Sequence, residues 1–125
     1  MSSPNAESAR HILEALSEGN IDSFVELLDP EVEVHTQRGV RHGPEEVRRW
    51  ARSKFQHLER RYEIDEVHEA GDTVVALVQV HYIWRESRKI GDTSIVGIVF
   101  EFRDGRLLRW RLYEDPMEAL EELEL

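Results

Sequence analysis

The chain has 125 residues, with 16 Lys and Arg against 26 Asp and Glu for a formal charge of −10, and it has six His and no Cys. That length is one domain's worth of chain, so a single domain over residues 1–125 is expected. The missing Cys exclude a disulfide framework, a thiolate nucleophile, an iron–sulfur cluster and a Cys zinc site. The acidic balance excludes a protein held mainly by phosphates, so neither nucleic acid nor an anionic membrane is expected as a partner.

An apolar fraction of 40% with ten aromatic residues supports a packed core rather than a disordered acidic tail. The first residues, Met1 to Glu7, lack the basic and apolar regions of a signal peptide, and no apolar run approaches the ~20 residues of a membrane span. A cytoplasmic chain is expected. The charge is unevenly spread: −6 over residues 1–40, +4 over 41–61, −5 over 62–84, +3 over 85–113 and −6 over 114–125.

Ala6, Ala9, Ile12, Leu13 and Leu16 recur at spacings of three and four and predict a first helix that stops between Ser17 and Asn20. Asn20 or Asp22 can cap a second, short helix carrying Phe24, Leu27 and Leu28, ended by Pro30. Glu31 to Thr36 alternates strictly and reads as a half-buried strand. Gly43-Pro44-Glu45-Glu46 opens a third helix, with Pro at its first position and carboxylates at the positive end of the helix dipole. Its stripe is Val47, Trp50, Ala51, Phe55 and Leu58, and Arg48, Arg49, Arg52, Lys54, Arg60 and Arg61 form a basic segment read as a solvated face, the alternative being a patch for an acidic partner.

From Arg60 onward the period is two. Strands are expected over 61–69, 73–84, 93–103 and 106–114, turning at Gly71-Asp72, at 89–92 and at Asp104-Gly105, whose residues suit a type I′ turn. The order predicts an α+β layer, helices against one curved antiparallel sheet. The strand over 73–84 is apolar on both faces. Val74, Ala76, Val78, Val80, Tyr82 and Trp84 share one, and Val75, Leu77, Gln79, His81 and Ile83 the other. An antiparallel sheet with helices on one side should be polar on the second. A second copy packed through Val78, Val80, Tyr82 and Trp84 would cover it as a homodimer. The alternative cover is the C-terminal segment, Pro116 to Leu125.

Several of these features together carry a resemblance: Gly19-Asn20 between two helices, His35 on the first strand, Gly43-Pro44-Glu45-Glu46-Val47 opening the third helix, and Phe102 to Arg106 leading into Trp110 to Asp115. With this layout the chain resembles the SnoaL-like polyketide cyclase family of the nuclear transport factor 2-like superfamily, over residues 6 to about 121. The resemblance implies a cystatin-like α+β barrel, a cone-shaped sheet wrapped around three N-terminal helices, with a mostly apolar pocket and a dimer through the sheets. Fold does not settle function, and the superfamily includes isomerases, cyclases, epoxide hydrolases and carriers. The acid and charge partners of the epoxide hydrolase members are missing: Gln79, His81 and Leu112 stand near those positions.

The expected inward set is His35, Trp50, Phe55, Gln79, His81, Ile83, Trp110, Leu112 and Glu114. His81 is placed inward by parity with Leu77 and Ile83 and by the family alignment. His35 and His81 are the acid–base candidates for isomerase or cyclase chemistry on a small hydrophobic ligand, since a neutral imidazole suits proton abstraction beside a carbonyl. The remaining residues would bind substrate, although Trp50, Phe55 and Trp110 are each more often core than platform. In the bland alternative both His are satisfied structural residues and the protein is a carrier or an interaction module. A zinc site from His35, His81 and Glu114 has no supporting spacing, and no cofactor is implied. His11, His42, His57 and His68 read as solvent-facing.

Overall fold

A computed structural model describes residues 3–36, 38–54, 58–84, 86–87 and 89–123. Helix α1, Pro4–Glu18, begins where the Ser3 hydroxyl accepts from the Ala6 amide at 3.0 Å, and ends at Gly19, whose positive φ of 70° suits the left-handed cap. Ala6, Ala9, Ile12, Leu13 and Leu16 form its buried stripe, as their spacing predicts. Helix α2, Ile21–Glu26, is capped by Asn20 and buries Phe24. Leu28 belongs instead to strand β1, Leu28–Thr36, which also takes in Pro30.

Strand β2, Gly39–His42, is too short to show a period, and the sequence reading missed it. Helix α3, Gly43–Lys54, follows, and Leu58 opens strand β3, Leu58–Ala70, rather than closing the helix. Strands β4, Thr73–Trp84, β5, Ile90–Arg103, and β6, Arg106–Tyr113, form the expected meander. Asp104 and Gly105 turn β5 into β6 with φ of 52° and 80°. A last helix, α4, Pro116–Glu121, starts at Asp115, whose carboxylate accepts from the Met117 amide at 2.9 Å.

The six strands make one mixed sheet in the order β2-β1-β6-β5-β4-β3. All pairs are antiparallel except β1 with β6, which run parallel with Val34 beside Trp110 and His35 beside Arg111. Irregularities at Ile64/Glu66, Tyr82/Ile83 and Glu101/Phe102 bend the strands. The sheet curls far enough to bring Tyr62 of β3 within 6.5 Å of Trp110 of β6, ring centre to ring centre, although two strands lie between them.

The helices fill the inside of that curl. Val32, Val34, Val74, Ala76, Val78, Val80, Val96, Ile98, Phe100 and Trp110 meet the apolar stripes of α1, α2 and α3 in one core. A smaller cluster lies on the opposite face, where Ala119 of α4 covers Val75 and Val99, flanked by Leu77, Tyr113 and Leu120. The expectation that Val78, Val80, Tyr82 and Trp84 form an outer dimer surface is therefore corrected. Val78 and Val80 are buried under the helices, and Tyr82 packs on the same core. The C-terminal segment covers part of the other face.

Candidate functional site

Alternation within β4 fixes the two faces once one residue is placed. Because Val75 lies under α4, residues Leu77, Gln79, His81 and Ile83 also belong to the outer face, and the inward placement of Gln79, His81 and Ile83 is corrected. The outer face satisfies these polar groups locally. The Gln79 amide donates to Asp65 at 3.2 Å. His81 Nε2 donates to Glu63 at 3.0 Å, and in that tautomer Nδ1 accepts from the Thr93 hydroxyl, also at 3.0 Å.

His35 follows the same logic on β1, since Val32 and Val34 point into the core. Its Nε2 donates to Glu33 at 3.0 Å. That hydrogen bond, with Arg109 and His42 nearby, holds the Glu33 carboxyl below its ordinary range despite partial burial. His35 and His81 do not converge. They lie three strands apart, ~14 Å across the sheet, and the pairing His35–Arg111–Val99–Val75 leaves His81 six residues further along β4. They share no proton-transfer pair and no metal. Among the described residues no group of three His, Asp or Glu could hold a metal ion.

Trp50, Trp110 and Leu112 are on the inner side. Trp110 is core, and it packs edge-on against Trp50 at 6.1 Å, Phe100 at 5.3 Å and Tyr62. The Tyr62 hydroxyl is pushed up from its usual range by burial. Among the described residues the Trp50 indole N–H, like Arg109 Nε, is buried with no hydrogen-bond partner. Such a donor costs about 1–3 kcal/mol of unrecovered desolvation, which makes it a group to explain. Glu114 is exposed beyond the end of β6. Phe55 and His57 lie outside the described residues; His11, His42 and His68 are exposed.

The C-terminal ends of β1, β4 and β6 and the N-terminal ends of β3 and β5 point the same way, but in a stagger: Tyr113 at the end of β6 is level with Leu77 of β4, and β3, β4 and β5 run on to Leu58, Trp84 and Ile90. The inner face is less covered at two places. Leu112, next to Trp110 by alternation, is 39% exposed, and Trp84 is 53% exposed. A cleft of about 290 Å³ is lined by Tyr82, Trp84, Gly91 and Asp92. Trp84 lies so close to Gly91 that an added Cβ would stand 3.0 Å from Trp84 Cδ1. The Arg60 guanidinium lies 5.3 Å from the centre of the Tyr82 ring. Sequence reasoning assigned Tyr82 and Trp84 to the wrong face, read Arg60 as part of a solvated basic segment, and missed Tyr62 and Asp92. The aromatic pair Tyr82 and Trp84 following Val78 and Val80 at period two was the available signal.

The curved mixed sheet with helices packed inside it defines a nuclear transport factor 2-like α+β fold. The chain belongs to the SnoaL-like domain family, whose model matches residues 9–110. A nuclear transport factor 2-like protein of unknown function from Burkholderia pseudomallei is 23% identical, covering 99% of this chain and 100% of its own, with a TM-score of 0.79. TerC, crystallised with polyporic acid, is 22% identical over 97% of this chain and 98% of its own, with a TM-score of 0.77. A candidate polyketide cyclase from Xanthomonas campestris is 18% identical over 97% of each chain, with a TM-score of 0.77. No curated protein matches. No helix among the described residues is long and apolar enough to cross a membrane.

Proposed function

We propose that this protein binds a small, mostly apolar, ring-bearing molecule on the inner face of its sheet, at the cleft beside Tyr82 and Trp84, as a carrier or sequestering protein. The observation that carries this reading is the cleft of about 290 Å³ beside Tyr82 and the exposed Trp84, on the face that the helices otherwise bury and on which Leu112 is also exposed. Exposed large apolar groups beside an aromatic cluster are what a ligand pocket presents. Binding without imidazole acid–base catalysis is favoured because His35 and His81 lie on the other face, each hydrogen-bonded to a carboxylate.

Mass spectrometry of the denatured, freshly purified protein is expected to release a co-purified apolar compound. A thermal-shift screen of polycyclic ketones and aromatic acids, with polyporic acid included because TerC was crystallised with it, is expected to raise the melting temperature. No co-purified molecule and no shift with any compound would overturn the reading.

A further inference from the structure

We infer that the cleft beside Tyr82 and Trp84 selects a ring-bearing small molecule that carries a cationic nitrogen, a protonated or quaternary amine, with Asp92 as its counter-charge. The inference rests on the binding reading above and deepens it by naming the ligand's charge. Strand register puts three groups in one row on the inner face: Arg60 of β3 and Asp92 of β5 stand opposite Tyr82 of β4, one on each side. Beyond Tyr82 the pairing slips and leaves Gly91 without a partner residue on β4, and Trp84 lies against that glycine with its Nε1 and Cδ1 crowding the place of a β-carbon. A side chain at 91 would push the indole away. The cleft of about 290 Å³ is lined by Tyr82, Trp84, Gly91 and Asp92.

The lining is electrostatically of one sign. Among the described residues that line the cleft, Asp92 carries the only formal charge, and its carboxylate is held by accepting the Thr93 amide at 2.9 Å. The faces of the Tyr82 and Trp84 rings are negative through their quadrupoles and attract a cation placed within ~6 Å of the ring centre. Tyr82 already draws one: the Arg60 guanidinium reaches from β3 to 5.3 Å from its ring centre, whereas the cleft is lined from β4 and β5. A carboxylate ligand would meet a like charge and two repelling ring faces. A neutral ligand would take water from Asp92 and return nothing for it. A cationic nitrogen beside an aromatic ring compensates the carboxylate and stacks on the indole together, and the net charge of −10 raises the concentration of cations around the protein.

The test uses three benzyl compounds, benzyltrimethylammonium, its carbon isostere neopentylbenzene, and phenylacetate, titrated into the wild type and Asp92→Asn with binding followed by NMR. The quaternary nitrogen has no N–H, so the first pair differs in charge alone. The cation is expected to bind the wild type about tenfold more tightly than the isostere, with phenylacetate weakest, and added salt to weaken the cation only. Asp92→Asn is expected to lower the cation's affinity severalfold and leave the isostere's unchanged. The Trp84 indole proton, assigned through bonds, is expected to move on saturation with the cation. The wild-type comparison decides the matter even if Asp92→Asn does not fold. Equal binding of cation and isostere, phenylacetate binding as well as the cation, a cation affinity unchanged in Asp92→Asn, or a Trp84 proton that moves with neopentylbenzene but not with the cation overturns the inference while leaving the pocket reading intact. If none of the three binds, the pocket reading falls, and the inference with it.

Discussion

A β-carbon added at Gly97 would overlap the Ala119 methyl group and stand 3.2 Å from the Cα of Pro116, so α4 rests directly on the backbone of β5. Tyr113 donates a short hydrogen bond to Glu122, and Arg111 reaches the same carboxylate at 3.5 Å. This C-terminal cap seals Val75 and Val99. Gly97→Ala is expected to destabilise the protein by about 1–3 kcal/mol, the range for forcing a methyl group into a filled site. Urea denaturation measures it; unchanged stability would show that α4 sits more loosely.

Ending the chain after Glu114 removes the cap and leaves Val75, Val99 and Leu77 on an open sheet face. Exposed apolar sheet surface seeks a partner. The shortened protein is expected to elute earlier than its mass predicts on gel filtration, and increasingly so at higher concentration. A monomer at all concentrations would mean that the strip is too small to drive association.

His81→Leu and Leu112→Glu separate the two faces of the sheet. His81 joins Glu63 and Thr93 on the surface opposite the helices, so its replacement is expected to leave apolar-ligand binding unchanged and stability within about 1 kcal/mol. Leu112 lies on the inner face with 39% of its surface exposed. A carboxylate there is tolerated by the fold but desolvated by an apolar ligand, and affinity is expected to fall at least about tenfold. The reverse pattern in a thermal-shift titration would return the site to the His81 face.

Acid is expected to destabilise the fold through two carboxylates. Asp29 is 5% exposed and accepts two hydrogen bonds from Arg103, at 2.7 and 3.1 Å, and one from the Glu31 amide at 2.8 Å. The Arg103 hydrogen bonds hold its carboxyl below the ordinary range, as His35 does for Glu33. A depressed folded pKa contributes stability that is fully present above the unfolded pKa, near pH 4, and lost as pH falls through the folded value. The urea midpoint should hold steady from pH 7 to about 5 and decline below about 4. Asp29→Asn, already less stable at neutral pH, should show a shallower decline.

Much of the architecture was legible because it is local. The 3.6-residue stripe of α1, the Asn20 cap, the Gly43-Pro44 helix start, the β4 limits and the Asp104-Gly105 turn all follow from preferences within a few residues. Strand β2 and helix α4 escaped because four and six residues carry too little period to stand out. The parallel pairing of β1 with β6 joins segments more than seventy residues apart, and no local signal specifies it.

The site divides in the same way. The pattern of residues showed that β4 has two apolar faces, that Gln79 and His81 share one, and that Trp50 and Trp110 are large groups near a core. A period of two sorts side chains into faces but is symmetric between them, so it cannot say which face points inward. On a strand with only one apolar face, hydrophobicity breaks that symmetry; β4 has two. Only the packing of α1 and α3 on one side and α4 on the other turned Val78, Val80 and Tyr82 inward. The same packing set His81 beside Glu63 on the outside and left the Trp50 N–H without a partner among the described residues.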